Sequence, residues 1–286
     1  MKAQHVNTLQ LWMYRLYLVI FFIYLLAPLI LVVVLAFNDS SYPSLPWKGF
    51  TLRWFQELFG DNRLLLSIWN SLRIAIVVSV LSVFVGTATS FALVRHNFPG
   101  KNLFYALALG PIVTPGVILG VSLLIGISNI EDLAYMLKDQ GSFLGTWLVA
   151  IYKTRLFPGL GGVVLGQASF IISFVILTVS ARLKKFDVAL EEAAMDLGAS
   201  RLGAVWRITI PFLKPALFAS AILAFLLSFD NFNTTIFLVG NESTLPIHIF
   251  SMLRFGITPK INAISVVLIV VTVVLGFFSD KFSKQE

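Results

Sequence analysis

The chain has no cysteine in 286 residues, which excludes disulfide frameworks, thiolate catalysis and cysteine-ligated zinc or iron–sulfur sites. Charge is scarce too: 12% of residues are Asp, Glu, Lys or Arg, against about 25% in soluble domains. His5, His96 and His248 are the only histidines; all lie in loops or at the ends of apolar runs, and no two are close enough in sequence to suggest a metal pair. A phosphate-cradling G-x-x-x-x-G-K-[ST] loop is also missing, because Pro99-Gly100-Lys101-Asn102 lacks both the earlier glycine and the hydroxyl residue. What the chain has in excess is apolar surface, with 58% of its residues hydrophobic. A soluble fold of this length has too little interior to bury that much. Part of its solvent must be lipid.

Six stretches are long enough to cross a bilayer, which takes about 20 apolar residues: 16–37, 74–94, 103–127, 161–181, 215–239 and 261–279. The first follows Lys2, His5 and Arg15, as a signal peptide would. Its apolar run is too long for one and ends in Ala36-Phe37-Asn38-Asp39 without a small-residue cleavage site, so a retained first helix is expected. The net charge of +7 is assigned to membrane orientation and not to nucleic acid. The densest basic cluster, Arg182, Lys184 and Lys185, sits at the end of an apolar run. With the N-terminus inside, the inside segments 1–15, 95–102, 182–214 and 280–286 hold 12 of the 21 Lys and Arg in 63 residues, and the outside segments hold 9 in 90. That bias predicts both termini in the cytoplasm.

Segment 142–152 is about half a span long and is read as a surface element of an outer insertion, 128–160. Asn97-Phe98-Pro99-Gly100 reads as a tight turn between spans two and three. In span three, Gly110-Pro111 and Thr114-Pro115-Gly116 predict a kink packed on protein or lining a cavity, since lipid would leave the freed backbone groups unpaired. Gly86, Ala88 and Ser90 in span two allow close helix approach.

Asp230 is the one ionisable residue within the six spans, and an acid in that position needs protein or water around it. With Ser228, Asn231, Asn233, Thr234 and Thr235 it forms the most polar patch of any span. Helical spacing would place Asp230, Asn233 and Thr234 on one face, with Asn231 adjoining. This face is the candidate solute pathway, with Asp230 favouring a cation; a polar contact between helices or subunits is the alternative.

Segment 182–213 carries the second signal. Asp187 is a candidate N-cap, Glu191 and Glu192 suit the positive end of a helix dipole, and Gly198 offers a C-terminal turn. Ser200 then caps a second short helix that Pro211 stops. The inward positions carry Ala193, Ala194 and Gly198, small residues that let another backbone come close. The expectation is a two-helix foot that docks a soluble partner, more than a connector.

Glu192-Ala193-Ala194, three residues, Gly198, nine residues and Ile208-Thr209-Ile210-Pro211 resemble the EAA loop of binding-protein-dependent ABC importer permeases, with Ile210 where that family has Leu. The resemblance runs over about residues 15 to 275. Through Arg182-Leu183-Lys184, Asp196-Leu197-Gly198-Ala199-Ser200, Leu227-Ser228-Phe229-Asp230 and Gly256-Ile257-Thr258-Pro259 it is similar to the spermidine/putrescine permeases of the "C" type. The family implies an all-α integral membrane protein of six spans, in the type I importer permease fold and in a bacterial inner membrane. It implies a coupling loop at 182–213, with Glu191, Glu192, Ala193, Ala194 and Gly198 at the ATPase contact. Its partners would be ATP-binding cassette subunits that bind ATP and magnesium, a second permease subunit in a hetero- or homodimer, and a periplasmic or lipid-anchored solute-binding protein. No cofactor would sit in this chain. Polyamine permeases of this type often carry two acids where this chain has Asp230-Asn231. An importer of another solute, such as a metal chelate or oxyanion, shares every other feature. An ion-coupled carrier would place more ionisable groups in its spans, and an intramembrane enzyme would need a base beside Ser169 or Ser173.

Overall fold

The computed structural model describes residues 8–153, 157–256 and 258–283; Lys2, His5, Arg155 and Ile257 lie outside these. The described residues form helices α1 (Thr8–Ala36), α2 (Arg53–Phe59), α3 (Asn62–Arg95), α4 (Lys101–Val113), α5 (Gly116–Asp139), α6 (Phe143–Lys153), α7 (Leu160–Leu183), α8 (Ala189–Asp196), α9 (Arg201–Ala204), α10 (Ile210–Phe229), α11 (Thr235–Leu238), α12 (Leu245–Phe255) and α13 (Lys260–Ser283). Five of these helical stretches are long and apolar enough to cross a membrane: α1, α3, α5, α7 and the continuous run 201–229. The chain divides into two compact units, residues 1–65 with 249–286 and residues 66–248.

In the first unit α13 packs along α1 and α2. Asn38 closes the turn after α1: its Oδ1 accepts from the Lys48 amide at 2.8 Å, its Nδ2 donates to the Ser44 carbonyl at 3.0 Å, and its own carbonyl accepts the Trp54 indole at 2.9 Å. A buried amide satisfied on both ends fixes a loop that would otherwise be costly to order. Ion pairs Arg53–Asp39 at 3.6 Å and Lys260–Glu57 at 3.2 Å flank α2. The apolar run of α1 is almost entirely exposed, as lipid or another subunit would require.

The second unit is built around α7, whose buried residues point in all directions round the helix, among them Val163, Ile171, Val175 and Val179. Apolar contact alone discriminates weakly between helices in lipid; small residues and buried hydroxyls fix the packing. Ser79 donates to the Ala221 carbonyl at 2.8 Å, Ser90 to that of Ile176 at 3.3 Å, and Ser173 to that of Ala108 at 2.5 Å. A Cβ on Gly86 would lie 2.7 Å from Val175, so Gly86 and Ser90 do face α7, while Ala88 is exposed.

Three expectations change. Span three is not one helix: α4 has 13 residues and α5 has 24, so only α5, at about 1.5 Å per residue, can cover a hydrocarbon core of about 30 Å. Thr114 is extended, at φ −77° and ψ 125°, because the residue before a proline is pushed out of the α region. The helix that follows takes in residues 128–139, the first part of the expected insertion. Span five ends at Phe229 and not at 239; a turn and α11 follow. Pro211 stops nothing: α9 runs through a π-helical turn at Val205–Thr209 into α10, where Pro211 sits in the first turn. Within this continuous helix the proline removes one backbone hydrogen bond, and the widened turn before it absorbs the local misfit. Segment 142–152 is the short helix α6, packed back on α5.

Candidate functional site

Two places in the second unit hold the residues singled out by sequence. The first is the turn after α10. With α10 ended at Phe229, Asp230, Asn231, Asn233 and Thr234 do not share a helix face; they sit in the turn that leads to α11. Asn231 organises it. Its Oδ1 accepts from the amides of Thr234 and Thr235, both at 3.3 Å, and from the Thr235 hydroxyl at 3.0 Å, an Asx-type cap that starts α11. Three donors on one oxygen fix the orientation of the amide, so Asn231 has its Nδ2 donor left to offer.

The turn is clipped to α7 by a residue the sequence reading passed over. Gln167, 1% exposed, donates from Nε2 to the Thr235 hydroxyl at 2.8 Å and accepts the Ser228 hydroxyl on Oε1. An isolated glutamine in an apolar span is its only sequence signal. Thr234, also 1% exposed, donates to the Gly116 carbonyl at 3.3 Å, tying the turn to the break between α4 and α5. At Gly120 a Cβ would meet Phe237 at 2.8 Å and the Thr234 carbonyl at 3.1 Å, so glycine is what lets α5 reach the turn.

Between these elements lies a cavity of about 220 Å³, lined by Thr114 and Gly116 at the break, Phe170 and Phe174 of α7, and Asn231, Asn233 and Thr234. The proline-marked break and the polar patch therefore meet in one place. Asp230 is not among the lining residues; it is exposed at the C-terminal end of α10. A carboxylate there faces the negative end of the helix dipole, so the helix itself has no use for it.

The second place is the foot, residues 186–209. Gly203 donates to the Ser200 hydroxyl at 3.1 Å, so Ser200 caps its helix as expected; the cap position of α8 is Val188, and Asp187 just before it accepts the Ala189 amide on Oδ1 at 3.0 Å. Gly198 has φ +92°, and the amide of Ala199 returns to the Ala194 carbonyl at 3.0 Å, a turn for which glycine is the natural residue. The small residues do not point inward: Glu192, Ala193 and Gly198 are exposed, and Ala194 is half-buried. Beside them Leu197 is 91% exposed, Leu202 68% and Trp206 63%. Glu191 faces the other way. Its Oε1 accepts Arg95 Nη2 at 3.0 Å and the Thr209 hydroxyl.

The second unit thus combines membrane-length helices packed on α7 with a small exposed foot. Residues 80–284 match the family of binding-protein-dependent transport system inner membrane components, and the chain belongs to that family: it is the permease subunit of a binding-protein-dependent ABC importer. It is 31% identical to the spermidine/putrescine transport system permease protein PotC of Escherichia coli (strain K12), over 92% of this chain and 90% of that one. It is 32% identical to the putrescine transport system permease protein PotI of the same strain, over 90% and 86%. A crystal structure of a bacterial ABC transporter involved in the import of the acidic polysaccharide alginate has the same fold, with a TM-score of 0.69 at 14% identity and 98% of both chains covered.

Proposed function

We propose that this chain is one half of the pore of a polyamine importer. The observation that carries the solute class is its likeness, over nine-tenths of its length, to permeases named for spermidine and putrescine. Asp230 fits such a solute, being an exposed carboxylate with no structural task at the end of α10. In this reading a periplasmic or lipid-anchored binding protein delivers the solute to the outer mouth. Asp230 draws the cation in, and it passes the cavity bordered by Asn231, Asn233 and Thr234, where Phe170 and Phe174 offer aromatic faces to an ammonium group.

The energy comes from elsewhere. The face of Glu192, Ala193, Leu197 and Gly198 docks an ATP-binding cassette subunit, which binds ATP and magnesium. Nucleotide-driven closure of two such subunits pulls the feet of two permease chains together and exchanges the open side of the pore. The foot and both termini lie in the cytoplasm, following the basic residues.

The test is uptake and ATP hydrolysis by the complete transporter in liposomes. Spermidine- or putrescine-loaded binding protein is expected to stimulate hydrolysis, while an anionic solute leaves it at the basal rate; stimulation by the anion and not by polyamines would overturn the solute class. Asp230→Asn should raise the half-saturating polyamine concentration about 2- to 5-fold, the worth of one exposed charge pair.

A further inference from the structure

Glu191 is, with Ala194, one of the two half-buried residues on a helix with no fully buried one, and the only polar one of the two. Among the described residues, no other α8 side chain forms a hydrogen bond or ion pair with the long helices. Its partner Arg95 is the last residue of α3, and the two side chains are 17% and 13% exposed. Thr209, the second donor to the same oxygen, is fully buried in the π turn that opens into α10. The Arg95 guanidinium also lies 5.1 Å from the centre of the Phe186 ring, which meets Phe212 edge-on at 5.2 Å. Arg182, at the end of α7, covers the Phe212 ring at 4.2 Å and donates to the Phe212 carbonyl at 3.4 Å. One carboxylate, two guanidinium groups and two aromatic rings thus join α3, α7, α8 and α10 at a single point. A partly buried, hydrogen-bonded charge pair loses far more when one partner is removed than an exposed pair does.

We propose that Glu191 is a positioning residue of the transport cycle: with Arg95 and Thr209 it forms a latch that makes the foot move as one body with α3 and α10. The surface of the foot meets the motor, and this latch carries the motion into the pore. Without it, α8 is held only by the backbone, by Phe186 against Phe212 at its entry, and by its packing on α9 and the π turn, through which α8 could shift while the long helices stay still. The inference rests on the reading of the foot as an ATPase dock.

The test compares Glu191→Ala, Glu191→Gln and the exchange Arg95→Glu/Glu191→Arg in the complete transporter in liposomes, reading solute taken up per ATP hydrolysed and recovery of the ATPase subunit on purification. With the latch broken, both single variants keep the ATPase subunit bound and lose about 10-fold in solute moved per ATP, within the usual range of coupling free energies; the exchange restores part of the ratio. A merely structural role would lower the amount of assembled transporter and leave the ratio unchanged, and that outcome overturns the proposal. So does an exchange no better than either single change, or loss of the ATPase subunit from Glu191→Gln, which would make Glu191 a docking residue. Glu192→Lys is the reference for the dock. If it retains the ATPase subunit and full uptake, the docking reading fails, whatever the Glu191 variants show.

Discussion

A buried side-chain amide in a membrane helix must find its partners within the protein, and Gln167 does so by holding Ser228 and Thr235 at once. Those two bonds pin the last turn of α10, at Ser228, and the start of α11, at Thr235, to α7. Gln167→Leu fills a similar volume but leaves the buried Ser228 hydroxyl without this partner and takes one of two from the Thr235 hydroxyl, which keeps Asn231, at a cost of about 1–3 kcal/mol. The expected outcome is a lower unfolding temperature in detergent and reduced uptake, because the turn that borders the cavity loses its clip. Unchanged stability would mean that Ser228 and Thr235 repair among themselves. This residue also marks where sequence reasoning stopped. Asp230 stands out because a charge in a span is conspicuous. Gln167, 68 residues from Thr235, carries no charge and no motif, and its role exists only once α7 and α11 are side by side.

The same division separates the elements read well from those read badly. Asp187, Gly198 and Ser200 act on backbone groups within five residues of themselves, so the foot was legible from local chemistry. The break at Thr114-Pro115 read as a kink, because Pro111 carries the same signal and sits inside α4 without breaking it. What separates the two is tertiary: Gly116 has Thr234 as a partner 118 residues away, so an interrupted backbone is tolerated beside it. Gly120 is the steric counterpart of that bond. Gly120→Val would drive a branched side chain into Phe237 and the Thr234 carbonyl, an overpacking cost of about 1–3 kcal/mol, read as a fall in unfolding temperature with the helical content kept. The α5–α6 hairpin gives a pH-dependent check. Tyr152 donates to the Ile127 carbonyl at 3.0 Å, and burial, then the nearby Glu131 carboxylate, raise its pKa above the usual phenol value. A raised acid contributes stability that is complete below its unfolded pKa of about 10 and is lost as pH rises through the folded value. Alkaline unfolding of the protein should therefore show a pH dependence that Tyr152→Phe reduces.

At the scale of the whole molecule, work is divided between surfaces that share almost no chemistry. The α1 band is apolar and exposed over most of its length, with Trp12 at 65% and Tyr24 at 80%; lipid or a second permease subunit is the only solvent that suits it. The foot carries the opposite mixture, with exposed acids, small residues and a few large apolar side chains, which suits a protein surface in water. If the basic residues set the orientation, the foot must face the cytoplasm. The absence of cysteine from the natural chain allows a direct check. Ala193→Cys would be the single thiol of the protein, on the exposed side of α8, where alanine to cysteine is a small change in volume. A membrane-impermeant maleimide should label it in inside-out vesicles and leave it untouched in right-side-out ones. Adding the ATPase subunits should slow labelling several-fold, because the thiol would lie under the dock; a thiol at the neighbouring exposed site Asn97→Cys, on the turn after α3, serves as the control for access from that side. Labelling of Ala193→Cys from the outer face would invert the orientation and remove the foot from any motor that burns cytoplasmic nucleotide. Labelling from the inner face without protection would keep the orientation and move the dock elsewhere on the cytoplasmic surface.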